Sequence, residues 1–263
     1  GSDFNEAKMV AKDHPEDGNY ACASPTVLAT QNATRGEVYR MPFGSNQAVT
    51  IKTPQGASPL ILDMVEGNDA FAESAFGTAG WMQWYRADPD GQARLVLSRP
   101  AAHVFYLRSD GTHLAWIEGS GDPNNFWPQP KVEVWSAPYS TDLDAVRAGA
   151  RKLADISGVM QRVQYATAMQ GFYAYAGSES KVAVVRESDG SKQIVDIGPN
   201  RTSNMVAYVS STEVWVHYHQ MNTTDGGIAR IAAPTRSRSN EMVHRIDLAL
   251  EAEARRRIVA LKG

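Results

Sequence analysis

The chain has 263 residues, of which 43% are apolar and 21% charged, a composition typical of a globular protein with a sizeable core and not of a disordered chain. Its formal net charge of −3 lacks the basic surplus of a nucleic-acid-binding domain, so we expect no nucleic-acid partner. A single cysteine, Cys22, excludes an internal disulfide and any zinc site built from several thiolates, and no apolar run is long enough to span a membrane as a helix.

Residues 1–18 form a polar N-terminal segment in which residues 8–12 have the pattern of a strand. From residue 19 onward, runs rich in Val, Ile, Tyr, Trp and Phe alternate with Gly, Asn, Asp and Pro, which is the pattern of successive strands and turns. The runs fall into units of four strands and about 40–55 residues, the length of one blade of a β-propeller. The predicted units cover residues 19–53, 58–98, 103–156 and 160–197, and a fifth, with strands at 205–209, 213–218 and 227–232, begins at residue 204.

Two turns support this division. Asp88-Pro89-Asp90-Gly91 and Ser188-Asp189-Gly190 each place residues typical of tight turns between two apolar runs. Residues 182–185 are apolar at every position, as expected for a strand covered on both faces. A single sandwich of two sheets is the alternative all-β architecture, but it does not require the same four-strand unit to recur. We therefore predict a β-propeller of about five four-stranded blades over residues 19–233.

One unit carries a family resemblance. The segment Tyr106-Leu-Arg-Ser-Asp-Gly-Thr-His-Leu-Ala-Trp-Ile117, followed by Val132-Glu-Val-Trp-Ser-Ala137, resembles the repeat of TolB-like propellers. In that family, and in the propeller caps of prolyl-oligopeptidase-type peptidases, a Ser-(Pro)-Asp-Gly turn precedes a strand of this kind. The proline is absent here, and the other units match loosely. The resemblance implies a propeller fold, and it implies no peptidase activity without the accompanying hydrolase domain.

The C-terminal residues 234–263 are predicted as a linker, residues 234–240, followed by a strand or helix segment. Residues 241–250 fit both a strand and a helix, whereas residues 249–262 are rich in Ala, Glu, Arg and Leu and favour a short C-terminal helix. The fifth blade lacks a fourth strand unless residues 8–12 or residues 241–248 supply it.

The most distinctive segment for binding is the insertion at residues 119–130, which interrupts a predicted hairpin and combines prolines with two aromatic residues. Long loops on rigid scaffolds often carry function, and aromatic side chains serve as contact anchors. The alternative is that the aromatic rings fold back and cap the sheet. The candidate binding residues of this loop are Asp122, Asn124, Asn125, Phe126 and Trp127.

A second candidate lies on the last predicted strands, where His217 and His219 flank Tyr218. Residues two apart on a strand project from the same face, so both imidazoles are candidates for one metal ion, with a third ligand from His103, His113 or Asp225. The alternative is a pair of histidines on a solvated or half-buried face. Tyr218 is a candidate binding residue, and we expect no cofactor.

The sequence has no phosphate-binding loop, nucleophile elbow or His-Glu-x-x-His helix. The expected function is therefore a non-enzymatic binding or scaffold propeller, exported to the periplasm or outside the cell, with a protein or peptide partner. The alternative is a glycoside hydrolase or carbohydrate-binding propeller, which would use the His pair or carboxylates lining a funnel. The candidate carboxylates are Asp63, Glu66, Glu73, Glu118 and Glu213.

Overall fold

The computed structural model describes residues 21–32, 36–45, 47–76, 80–99, 101–121, 129–157, 163–169, 171–177, 180–209, 213–220, 223 and 226–232. Within these residues the chain forms nineteen β-strands and one short helix, and the strands are arranged in five separate antiparallel sheets. The chain divides into two compact units, residues 1–100 and residues 101–263.

The first unit contains two four-stranded sheets in which consecutive strands pair side by side. Sheet 1 consists of β1 (Ala21–Ala23), β2 (Val27–Asn32), β3 (Glu37–Pro42) and β4 (Val49–Ile51). Sheet 2 consists of β5 (Ile61–Glu66), β6 (Asp69–Phe76), β7 (Trp81–Ala87) and β8 (Ala93–Leu97). The two sheets share one core, formed by Ala29, Val38, Ile51, Leu60, Leu62, Ala70, Ala72, Tyr85 and Ala87.

The second unit contains three sheets of the same type. Sheet 3 consists of β9 (His103–Ser109), β10 (His113–Ser120), β11 (Lys131–Pro138) and β12 (Arg151–Asp155). Sheet 4 consists of β13 (Val163–Met169), β14 (Phe172–Gly177), β15 (Lys181–Arg186) and β16 (Lys192–Asp196). Sheet 5 has three strands among the described residues, β17 (Arg201–Val209), β18 (Glu213–Gln220) and β19 (Gly226–Ala232).

Sheet 4 is covered on both faces. Phe172, Ala174 and Ala176 of β14 pack with Val214 and Val216 of sheet 5 in one core. The alternate residues of β14, Tyr173 and Tyr175, point to the opposite face, and both are fully buried. Val182, Ala183, Val184 and Val185 of β15 are likewise fully buried, which confirms the strand that was predicted to be apolar on both faces.

The helix α1 (Leu143–Ala148) joins β11 to β12 and is absent from the sequence prediction. Its N-terminus is capped by Asp142, whose carboxylate accepts hydrogen bonds from the backbone N–H groups of Asp144 and Ala145. Val146 is its one buried residue. Six residues with one buried position are too few to produce a helical period in the sequence.

The strand predictions are otherwise confirmed, with shifts of a few residues at the ends. Strand β17 begins at Arg201, three residues before the predicted start of the fifth unit, because Arg201, Thr202 and Ser203 are polar and give no apolar alternation. Five sheets of consecutive strands replace the two sheets of a sandwich, so that alternative is wrong.

Several predictions lie outside the described residues. They concern the closing strand at residues 8–12 or 241–248, the linker and the C-terminal helix, and with them the boundaries at residues 18 and 233. Within the described part of the chain, no helix is long and apolar enough to cross a membrane.

Candidate functional site

The predicted binding loop stands on a regular hairpin. Strands β10 and β11 pair without interruption from His113 opposite Pro138 to Ser120 opposite Lys131, so the insertion begins where the pairing ends, as predicted. At the base of the loop Gln129 is buried, and a Cβ atom added to Gly119 would lie 2.9 Å from the Gln129 side chain. The candidate residues Asp122, Asn124, Asn125, Phe126 and Trp127 lie outside the described residues, so their role stays a prediction.

The two histidines of β18 do share a face. His217 lies opposite Ile228 and His219 opposite Gly226, on the half-exposed side of sheet 5 that also carries Trp215. Among the described residues, no group of three or more His, Cys, Asp or Glu side chains is arranged to hold a metal ion. A metal at His217 and His219 stays a prediction. Asp225, one proposed third ligand, lies outside the described residues, and His103 is fully buried against the Phe105 ring.

Tyr218 projects to the other face of β18. It is buried in the core between sheets 4 and 5, and the guanidinium of Arg201 lies 4.3 Å from the centre of its ring. Its hydroxyl packs so closely on β19 that a Cβ added to Gly227 would lie 2.8 Å from it. The position gives Tyr218 a clear packing role, and its predicted binding role stays untested.

Two of the candidate carboxylates have partners within their own sheets. Glu118 accepts a hydrogen bond from the indole N–H of Trp116 at 3.0 Å. Glu213 accepts one from the indole N–H of Trp215 at 3.0 Å and is ion-paired with Arg230. In both cases the carboxylate fixes a neighbouring tryptophan two residues away on the same strand.

The structure brings together a cluster that the sequence analysis did not group. A cleft of about 510 Å³ opens in the second unit between the β9–β10 turn of sheet 3 and the β14 and β15 strands of sheet 4. It lies at the end of β10 opposite the 119–130 loop. Its lining includes Asp110, His113, Arg151, Phe172, Arg186 and Glu187.

Asp110, the acidic residue of the Ser109-Asp110-Gly111 turn, ties the two sheets together. Its carboxylate accepts hydrogen bonds from the backbone N–H groups of Thr112 at 2.9 Å and His113 at 2.8 Å within its own turn. The N–H of Gly171, in the turn between β13 and β14 of the next sheet, donates to its other oxygen at 3.0 Å. Burial alone would raise the pKa of Asp110, but its hydrogen bonds with Thr112 and His113 outweigh burial and hold the pKa below its usual range.

Side chains of β9 reinforce the same contact. The hydroxyl of Tyr106 donates to the carbonyl of Val163 at 2.9 Å, and Nε of Arg108 donates to the carbonyl of Ala166 at 2.8 Å. Both acceptors lie on β13, the first strand of sheet 4. Tyr106 has a φ of +53°, at the point where the β9–β10 pairing shifts register. The two sheets are thus joined by several independent hydrogen bonds.

Glu187 occupies the floor of the cleft and is 5% exposed. Nη2 of Arg151, on sheet 3, donates to its Oε1 at 2.7 Å and to its backbone carbonyl at 2.5 Å. Nε2 of His113 lies 3.8 Å from the same carboxylate oxygen. The other oxygen, Oε2, is buried, and the buried hydroxyl of Tyr173 lies close to this carboxylate.

Three buried hydroxyl groups lie on the facing sides of sheets 3 and 4. Those of Ser136 and Tyr175 have no hydrogen-bond partner among the described residues, and that of Tyr173 lies beside the Glu187 carboxylate. Ser136 pairs with Arg151, so both side chains lie on the same side of sheet 3. Burial, together with the nearby Glu187 and Asp110 carboxylates, raises the pKa of Tyr173 far above its usual range. Burial also raises the pKa of Tyr175. Both phenols are therefore neutral, and each keeps a proton to donate.

Sequence reasoning missed this cleft because its groups are far apart in the chain. Arg151 and Glu187 are 36 positions apart, and Asp110 and Gly171 are 61. One signal was available: Ser109-Asp110-Gly111 and Ser188-Asp189-Gly190 are the same tripeptide, and both triplets lie beside the cleft.

Comparison with known proteins finds similar folds but no matching family. No family model matches it, and no curated protein matches it in sequence. One similar solved structure is a chain of the nidogen/laminin complex, with 10% identity, 78% of each chain covered and a TM-score of 0.51. Another is a putative TolB from Agrobacterium tumefaciens, with 13% identity, 81% of this chain and 76% of that chain covered, and a TM-score of 0.51.

Both of these structures are propellers. The fold of this chain is a β-propeller. Its five sheets are the blades predicted from the repeating four-strand unit, and blade 5 has three strands among the described residues. Identities this low show the fold alone, so the resemblance to the TolB-like repeat extends to architecture and does not establish membership of that family.

Proposed function

We propose that this propeller is a non-enzymatic binding or scaffold protein that presents loops to a protein or peptide partner. The observation that carries the proposal is the long insertion between Ser120 and Lys131, which stands on a hairpin of unbroken pairing. The blade beneath it is tied to blade 4 by the Asp110, Tyr106 and Arg108 hydrogen bonds. A rigid base lowers the entropy that a loop loses on binding, which favours recognition.

The partners of two candidate carboxylates, Glu118 and Glu213, favour a binding protein over a glycoside hydrolase. A glycoside hydrolase needs a pair of carboxyl groups facing the substrate, one of them able to act as an acid. Glu118 and Glu213 are instead engaged with the tryptophans of their own strands, and Glu213 is also ion-paired with Arg230. Each of these two carboxylates therefore fixes a tryptophan of its own strand, which is a packing role.

The similar solved structures are compatible with this role, since one of them was determined as a nidogen/laminin complex. We place the protein outside the cytoplasm, in the periplasm or beyond, on the strength of the TolB-like repeat. Cell fractionation of the native host, with a cytosolic marker as control, tests that location. Recovery of the protein with the cytosolic marker would contradict it.

Replacing both loop aromatics, Phe126→Ala with Trp127→Ala, is expected to weaken partner binding by at least about thirtyfold, because aromatic anchors contribute most of the energy at a binding surface. Peptides are first selected from a phage-displayed library of random dodecapeptides on the wild-type protein. Their dissociation constants are then measured on the wild type and on the double variant by fluorescence anisotropy.

The matched control is Phe43→Ala, which removes an aromatic side chain that is 47% exposed on the turn after β3 of the first unit. It is expected to leave the affinity unchanged. If the double variant and the wild type bind the peptides with equal affinity, the loop is not part of the binding surface. A wild-type protein that selects no peptide, yet cleaves chromogenic glycosides or binds glycans in an array, would replace the proposal with the carbohydrate alternative.

A further inference from the structure

His217 and His219 approach the same point above a glycine of the neighbouring strand. A Cβ atom placed on Gly226 would lie 3.9 Å from Nε2 of His217 and 3.8 Å from Cα of His219. Gly226 is the cross-strand neighbour of His219, whereas His217 lies opposite Ile228. The ring of His217 therefore leans along the sheet towards His219, over a position where glycine leaves space that a side chain would fill.

The face of sheet 5 that carries the two histidines is open to solvent. Trp215 on β18 is 39% exposed, Ile228 on β19 is 59% exposed, and both histidines are half-buried. Glu213 and Arg230 are the charged residues of this face among those that the structure describes, and they form an ion pair with each other. The face therefore has no net charge that would repel a cation.

Two imidazoles in this arrangement can bind one ion. Side chains two apart on a strand point the same way at a spacing of about 6.5 Å, and rings that lean together can each bind a metal ion at about 2.0–2.1 Å. Each imidazole has two ring nitrogens. One nitrogen can keep a hydrogen-bond partner while the other binds the metal, which is the usual arrangement at metal-ligating histidines.

We propose that His217 and His219 form a two-imidazole site for a divalent transition-metal ion above Gly226. Imidazole suits Cu²⁺, Ni²⁺ and Zn²⁺, among which Cu²⁺ binds most tightly, whereas Mg²⁺ and Ca²⁺ prefer oxygen ligands. Structural zinc sites have four protein ligands, so a site with two is exchangeable and leaves the other positions of the ion to water. The site lies on a different blade from the 119–130 loop and does not depend on peptide binding.

The probes are Cu²⁺, Zn²⁺ and Mg²⁺, each added alone to the full chain without an affinity tag. Isothermal titration calorimetry at pH 7.5 measures their dissociation constants after residual metal has been removed with a chelator. We expect Cu²⁺ to bind more tightly than Zn²⁺, and Mg²⁺ not to bind. Protons compete with the metal for imidazole, so the Cu²⁺ affinity should fall as the pH is lowered from 7.5 to 5.5.

His217→Gln and His219→Gln are each expected to weaken Cu²⁺ binding by at least about tenfold. Loss of an outer partner of a metal ligand already costs about 10–100-fold in affinity, and loss of a ligand costs no less. The matched control is His113→Gln, which removes an imidazole that is 34% exposed on β10 of sheet 3. The affinity of this control should stay within about twofold of the wild type.

Trp215 provides a readout that is local to the site. It lies two residues before His217 on the same face of β18, and Cu²⁺ quenches the fluorescence of a nearby indole. Titration with Cu²⁺ should therefore quench part of the tryptophan fluorescence, and an excess of Zn²⁺ should restore it. Trp215→Phe should remove most of the quenching and leave the Cu²⁺ affinity unchanged.

Three results would overturn the inference. If the double variant His217→Gln with His219→Gln binds Cu²⁺ like the wild type, the protein takes up an adventitious ion only. If Mg²⁺ binds as tightly as Cu²⁺, the ligands are oxygen atoms and not these imidazoles. If neither Cu²⁺ nor Zn²⁺ binds, the two histidines are not a metal site. In each case the proposed binding of a peptide by the 119–130 loop is unaffected.

Discussion

Gly190→Ala is expected to lower the free energy of unfolding by at least about 3 kcal/mol, the sum of backbone strain and a steric clash. Gly190 has a φ of +67°, a conformation that disfavours any residue with a Cβ atom. A Cβ there would also lie against the backbone of Leu153 on β12, 3.1 Å from its carbonyl carbon and closer still to the oxygen. Backbone atoms cannot rotate away, so blades 3 and 4 would have to separate locally.

Gly111→Ala is the matched control for this change. Gly111 has a φ of +88° in the other Ser-Asp-Gly turn, but no atom lies within 4 Å of a Cβ placed there. We expect it to cost about 1 kcal/mol, from the left-handed conformation alone. Urea unfolding of both variants followed by tryptophan fluorescence measures the difference. Equal losses would show that the approach of Gly190 to Leu153 does not limit the packing of the two blades.

The comparison of these two glycines shows what the sequence can and cannot predict. That both triplets are turns follows from residues adjacent in the chain, since aspartate accepts local hydrogen bonds and glycine adopts a positive φ. The turn at Asp88–Gly91 was predicted in the same way, and Gly91 has a φ of +83°. The contact of Gly190 with Leu153 depends on how two blades pack. Nothing in the sequence around either residue indicates it.

The same distinction between local features and contacts across blades applies to the candidate site. The loop at residues 119–130 was found because prolines and aromatics interrupt a strand pattern, which is a local feature. The cleft depends on Arg151 and Glu187, each of which has an ordinary neighbourhood in the sequence. Side chains brought together from different blades leave no periodic signal, whereas strands do. The missed helix α1 is different, because Asp142 followed by Asp144 is a local capping signal.

Asp110→Ala is expected to lower the free energy of unfolding by about 3 kcal/mol, because it leaves backbone donors in two blades without their charged acceptor. The N–H groups of Thr112 and His113 would lose a partner within the turn, and that of Gly171 would lose one across blades. The matched control is Asp189→Ala. Asp189 occupies the same position in the second triplet and accepts from Ser191 N–H and Arg186, both within its own blade. We expect about 1 kcal/mol for the control.

The pH dependence of the free energy of unfolding distinguishes this role of the Asp110 charge from simple packing. Its pKa is lowered in the folded protein, so its contribution to stability is complete above the pKa of the unfolded state, about 3.9, and is lost as the pH falls through the lower folded value. The wild type should therefore lose more stability than Asp110→Ala between pH 5 and pH 2, and the two curves should converge at the acid end. Urea unfolding across this range measures both curves. Parallel curves would mean that the ionised form of the Asp110 carboxylate adds nothing to the free energy of unfolding.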